Sequence, residues 1–241
     1  ADAIRKYTDK TITSNSTGFG TNHIDYFDFY KNLDVYGLDF YPSLQTGDRQ
    51  LAKLNYSFAN AMKHKPFWIM EFGIGGGHGL WPKEGRLQPY PGAIRLCAFY
   101  SFVCGAELLA HFQYKCFRSG AEQLNYAMLD DDRVPRRKYF EFQKTAQTIA
   151  DYEKIIKTTH IKKAKTAMIF DYDSLWALRI KPVNHDFDYV TFCFDLLEAL
   201  RLKGAEVDVI SKSASFDDYE MIVVPAMIVI YVGCCVAILL F

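Results

Sequence analysis

The sequence predicts an α/β fold with parallel strands, and three observations carry that prediction. Apolar runs begin at residues 11, 35, 67 and 107, at widening intervals of 24, 32 and 40 residues. Each is followed by a stretch of helical periodicity, the rhythm of successive βα units in a parallel sheet. A second series of apolar runs, again interleaved with a helix, begins near Lys162. Four βα units make half of an eight-fold (β/α)8 TIM barrel, so the expected architecture is the C-terminal half of such a barrel over 1–158. A partial, Rossmann-like doubly wound domain is expected over 159–241.

Taken in order, the first strand is expected at 11–14. It leads through Gly18 and Gly20 to a helix over about 22–32. The second strand is 35–40. Its helix, over about 49–64, carries Leu51, Leu54, Phe58 and Met62 on one face. The third strand is 67–72, followed by a glycine-rich loop and a helix opening at Pro91, a favoured first helical position. The fourth strand is 107–114, and a long helix is expected over about 135–157. In the second region, 164–170 reads as a strand and 189–203 as an amphipathic helix closed by Gly204. Strands at 206–210 and 220–224 complete it.

The chain has 241 residues, half of them apolar and 16% aromatic, enough for a sizeable core. Lys and Arg together equal Asp and Glu at 28 each, so no basic field exists to neutralise phosphates and nucleic acid is excluded as the main partner. Cysteines at 97, 104, 116, 193, 234 and 235 form no C-x-x-C pair. They read as reduced thiols, which suits a cytoplasmic protein. The chain opens Ala-Asp-Ala with neither signal peptide nor initiator Met, and is read as a fragment or processed piece of a longer protein. Residues 221–241 are uncharged. Their length would span a bilayer, but Pro225, Gly233 and the absence of a basic flank favour a buried strand instead.

The sharpest chemical feature is Trp68-Ile69-Met70-Glu71-Phe72-Gly73. It puts a carboxylate at the C-terminal end of a buried strand, the catalytic face of a βα barrel. A carboxylate there can attack an anomeric carbon, or it can be a structural group paired with a cation. Asp39-Phe40-Tyr41-Pro42 ends the preceding strand at the same level. Tyr41 can donate to the neighbouring carboxylate and keep it ionised, and Asp39 can be buried and structural. On the later loops, Gln113 and Glu122 can accept from sugar hydroxyls, and Trp81 offers a face for stacking a pyranose. Ordinary loop packing is the competing reading for each. The six histidines show no H-x-x-x-H spacing, the glycines at 73–77 no P-loop, and the second region no G-x-G-x-x-G. Neither a metal nor a cofactor is expected.

These residues, in order, resemble family 42 glycoside hydrolases, the microbial β-galactosidases. The resemblance rests on 11–15, Asp25-Tyr26-Phe27, Leu33-Asp34-Val35, Asp39-Phe40-Tyr41-Pro42, Trp68-Ile69-Met70-Glu71, Pro91-Gly92, Gly105-Ala106, and Phe112-Gln113 through Gly120-Ala121-Glu122-Gln123. The stretch 165–178, with Phe170-Asp171-Tyr172-Asp173-Ser174 and Trp176, resembles the start of the family's second domain, which is related to glutamine amidotransferases and mediates trimer formation. The resemblance implies a retaining β-galactosidase that acts on a β-galactoside or galacto-oligosaccharide, with Glu71 as nucleophile, Tyr41 beside it and Glu122 as a galactose-hydroxyl ligand. It implies a homotrimer. The family's acid/base Glu follows an Asn on a strand that would precede Ala1. Two departures stand out. Tyr114-Lys115 occupies the place of a Trp-Arg pair, and Asn125, the expected substrate-binding counterpart, stands where the family usually has His. Those departures keep a carbohydrate-binding pseudoenzyme open as a second reading. A membrane-anchored scaffold using the apolar tail is the third.

Overall fold

The computed structural model describes residues 1–18, 23–41, 49–73, 88–159 and 161–229. Its elements in chain order are α1 (Asp2–Arg5), α2 (Tyr26–Tyr30), β1 (Gly37–Phe40), α3 (Arg49–Lys63), β2 (Phe67–Gly73), α4 (Ala93–Val103), β3 (Ala106–Phe112), α5 (Arg137–Asp151) and α6 (Glu153–Thr158). Then follow β4 (Thr166–Ile169), α7 (Tyr172–Ile180), α8 (Tyr189–Leu202), β5 (Val207–Ile210) and β6 (Met221–Val223). Two parallel three-stranded sheets result, ordered β1-β2-β3 and β5-β4-β6.

The expected strand at 11–14 does not form a ladder. Most of its hydrogen bonds run through side chains instead. Asp34 accepts from the Ile12 N–H, the Thr13 hydroxyl donates to the Val35 carbonyl, and the Tyr30 hydroxyl donates to the Ser14 carbonyl. What remains is one parallel bridge between Ser16 and Leu38, which still lays the segment alongside β1. The helix expected over 22–32 shortens to α2, begun by Asp25, whose carboxylate accepts from the Phe27 and Asp28 N–H groups.

The long helix expected over 135–157 is broken at Tyr152 into α5 and α6. The Thr145 and Thr148 hydroxyls bond back to the Glu141 and Lys144 carbonyls just before the break, competing with the helical ladder. Helix α4 starts at Ala93 rather than Pro91. Gly92 is its N-cap, at φ +88°, a conformation open to glycine. Helix α7 falls where no helix was expected. Asp171 caps it, accepting from the Ser174 N–H, and Tyr172, Leu175 and Leu178 are its buried face.

One continuous apolar core joins the two sheets. Tyr36, Leu38, Phe67, Ile69 and Phe72 of the first sheet and its approach share it with Met168, Phe170, Val207 and Val209 of the second, and α3 lies between. Phe27 packs edge-on to Tyr172, and the Arg201 guanidinium of α8 donates to the Ser57 hydroxyl of α3. Burial of this cluster fixes the C-terminal ends of β1 and β2 as a rigid platform. The four residues of β4 are all buried, as expected of a central parallel strand. Among the described residues, no helix is long and apolar enough to cross a membrane.

Candidate active site

Strands β1 and β2 pair in parallel with Asp39 opposite Glu71, after a one-residue register shift between Leu38 and Asp39. The shift brings both carboxyl groups to the same level at the C-terminal edge. Glu71 is half-buried. The Tyr41 hydroxyl, just past the end of β1, donates to its Oε2 at 2.5 Å. The Asn15 amide, one residue before the Ser16 bridge, donates to its Oε1 at 3.3 Å. Each oxygen of Glu71 is thus held by one neutral donor from a different stretch of chain.

Asn15 also reaches Asp39, whose Oδ1 is buried with no hydrogen-bond partner. Burial, and then the Glu71 charge, push the Asp39 carboxyl up to about 7, against the pull of the Asn15 hydrogen bond. Among the described residues, no Lys, Arg or His offsets this charge at Asp39. Burial, and then the hydrogen bond to Glu71, push the Tyr41 phenol far up, so it stays a proton-bearing donor.

Gly73 makes room for this arrangement. A Cβ there would come within 2.6 Å of the Tyr41 ring and 3.4 Å of Tyr126. The Tyr126 ring lies 4.8 Å from that of Tyr41, and Phe112 packs edge-on from the other side. Tyr126 is delivered by the strap after β3. The strap closes on itself through the Gln113 N–H to the Tyr126 carbonyl (3.2 Å), the Met128 N–H to the Gln113 carbonyl (2.8 Å) and the Leu129 N–H to the Tyr114 carbonyl (2.9 Å).

Of the five residues expected in the site, Glu71 and Tyr41 are in direct contact. Asn125 is buried in the strap beside Tyr126, its carbonyl accepting from the Gln113 side chain and its N–H donating to the Glu122 carbonyl. Glu122 is exposed at the tip of the same strap. Trp81 lies outside the described residues. Sequence reasoning gave no role to Asn15 and read Asp39 as structural. The signal for both was their level, since Asn15, Asp39 and Glu71 close successive runs. A half-buried carboxylate on a rigid strand, held by two neutral donors beside a second carboxyl, can act as a nucleophile or stabilise a developing cation.

A family described as "Beta-galactosidase" (glycoside hydrolase 42) matches residues 1–152, and one described as "Beta-galactosidase trimerisation domain" matches 164–236. The chain is similar to the β-galactosidase BgaH of Haloferax lucentense, 29% identical over 94% of this chain and 35% of that protein. It is 31% identical to the β-galactosidase Bga of Halorubrum lacusprofundi, over 94% of this chain and 34% of the relative. The solved structure of a β-galactosidase from Halorubrum lacusprofundi aligns with a TM-score of 0.88 at 28% identity, covering 99% of this chain and 37% of that one. The chain therefore spans about a third of the length of the curated relatives it matches.

Proposed function

The chain belongs to glycoside hydrolase family 42, and on that premise we propose that the protein containing it hydrolyses terminal β-D-galactosides with retention, Glu71 being the nucleophile. The observation that carries this reading is the pair of neutral donors on the Glu71 oxygens. They orient an ionised carboxylate without neutralising it, whereas a structural glutamate would be paired with a cation. In the first step a Glu71 oxygen bonds to the anomeric carbon as the C–O bond to the aglycone breaks, and a second carboxylic acid gives its proton to the departing oxygen. In the second step that group takes a proton from water, the water oxygen bonds to the anomeric carbon, and the Glu71 ester bond breaks. The second carboxyl must lie about 5 to 5.5 Å from the first. We place it in the portion of the relatives' length that this chain does not span.

The first sheet and its helices are read as the second half of a (β/α)8 barrel over 1–158. The β5-β4-β6 sheet is read as the Rossmann-like start of a trimerising unit over 159–241. The alignment to the haloarchaeal structure and the two family matches support that division. Tyr41 and Asn125 line or back the galactose site, and Glu122 and Trp81 are the remaining substrate contacts. The assembled protein is read as a homotrimer.

The deciding experiment is Glu71→Gly in the full-length protein, assayed on an aryl β-galactoside with and without sodium azide. Turnover falls by about 10⁴-fold or more. Azide restores product as the α-galactosyl azide, because the small anion attacks where the carboxylate did. Unchanged turnover refutes the assignment.

A further inference from the structure

Asn15 and Asp39 flank Glu71 without a role in the two-carboxyl reaction. They are polar groups at the edge of an apolar core, and the chain has gone to some length to hold them there. Asn15 is fixed one residue before the Ser16 bridge, where the Ser16 N–H donates to the Gly37 carbonyl at 3.0 Å and the Asp39 N–H donates to the Ser16 carbonyl at 2.7 Å. The Ser16 hydroxyl is itself buried and bonded to the Tyr36 hydroxyl and the Gly37 carbonyl. The backbone bonds that carry Asn15 therefore also carry Asp39.

We propose that Asn15 is a positioning residue whose side-chain amide spans the Asp39 and Glu71 carboxyl groups, fixing the direction of the Glu71 oxygens and setting the acid limit of the reaction. The inference rests on Glu71 being the nucleophile. An amide NH2 has two N–H groups and can serve one carboxyl with each. Asn15 donates to Glu71 Oε1 and reaches Asp39 from the same side chain. Without it, the carboxyls of two residues paired in register on neighbouring strands would keep, among the described residues, only the Tyr41 hydroxyl as a donor. Like charges so placed resist ionising together.

Among the described residues, the other titratable groups acting on the pair are three tyrosines. Tyr41 donates to Glu71 from the end of β1. Tyr126, from the strap after β3, acts on Tyr41. Tyr30, of α2, faces Asp39. Burial holds the Tyr41 and Tyr30 phenols in their proton-bearing form. Asp39 holds its proton until near neutrality because burial, and then the Glu71 charge, oppose its ionisation.

The sign of each substitution follows. Asn15→Ala removes donors to the charged forms, so ionising Glu71 becomes harder and the acid limb of kcat/KM moves to higher pH. Asp39 is uncharged in the acid range, so Asp39→Asn leaves the acid limb where it is.

The test is the pH profile of kcat/KM for an aryl β-galactoside in the full-length protein, for the parent, Asn15→Ala, Asp39→Asn and the double variant. The expected result is an acid limb raised by about one pH unit in Asn15→Ala. It stays in place in Asp39→Asn, and the double variant matches Asn15→Ala. A parallel loss at every pH, with the limb unmoved, assigns Asn15 a purely structural role and overturns the proposal. If Asn15→Ala does not fold, Asn15→Leu, which is close in size and also lacks the amide donors, decides in its place, and an unmoved limb there is equally fatal. Glu71→Gly with azide separates the two failures. Azide rescue with unmoved limbs sinks only the role of Asn15, whereas full activity without Glu71 sinks the nucleophile assignment itself.

Discussion

At the C-terminal ends of β1 and β2, Asp39 and Glu71 are held by an amide and a phenol, whereas just past the end of β4, Asp171 is held by an ammonium. The sites are otherwise alike, each an acidic side chain at the C-terminal edge of a parallel three-stranded sheet. Asp171 is 2% exposed, caps α7 by accepting from the Ser174 N–H and hydroxyl, and pairs with Lys212 at 2.7 Å. Lys212 reaches Asp173 as well, at 2.6 Å, and the Ser174 hydroxyl accepts from the Ile228 and Val229 N–H groups. Every group there is consumed by another. In the first sheet, the charge on Glu71 is oriented and left available, and Asp39 keeps a buried oxygen without a partner. On the proposed reading, the difference is that between a carboxylate that closes a fold and one free to react. It is decided by whether the second group is a cation.

The comparison breaks most visibly at Lys212. Lys212→Met leaves the Asp171 carboxylate buried without its counter-ion, and stability falls by about 3 kcal/mol in chemical denaturation. The kcat of the folded full-length protein stays unchanged, and an equal loss of kcat would show that the second sheet serves the site. In the first sheet the pattern reverses. Tyr41→Phe removes a hydrogen bond to a charged group, worth about 1.5–3 kcal/mol in the reaction, so kcat falls about 10- to 100-fold while the melting temperature changes little. Gly73→Ala pushes a methyl into the Tyr41 ring, and kcat falls about tenfold. Added to Tyr41→Phe it costs less than that, because both changes act on one ring.

The smallest effect belongs to His111, on β3. Its imidazole sits between the Phe72 and Phe142 rings, its Nδ1 is buried without a partner, and burial pushes it down to about 4. Its folded value lies below its unfolded one. The stability it contributes is therefore present above about 6.5 and is lost as the pH falls towards about 4. His111→Phe flattens the melting temperature across that window by the equivalent of about 1 kcal/mol after solvent screening. An unaltered slope would assign the acid sensitivity to the carboxyls instead.

Much of this was legible in the residues. The run ending in Glu71-Phe72-Gly73 announced a strand with an acid at its exit, and the parallel rhythm and Gly204 were equally local signals. Helix α7 was missed although Asp171, three residues before Ser174, is a capping signature of the same local kind. The break at Tyr152 was not legible, because it lacks proline or glycine and comes from threonine hydroxyls turning back on the ladder.

The amino-acid order alone determined most of the strands and helices, and which strand would end in a carboxylate. Those outcomes depend on the periodicity and capping of neighbours within a few residues. Only the tertiary structure decided that Asn15, Tyr41 and Glu71, up to 56 residues apart, would meet, and that Asp39 would stand opposite Glu71 rather than one residue off. The register shift and the diversion of the Ile12 and Ser14 backbone bonds to the Asp34 and Tyr30 side chains are settled by packing across distant segments. No local pattern in the chain encodes that contest.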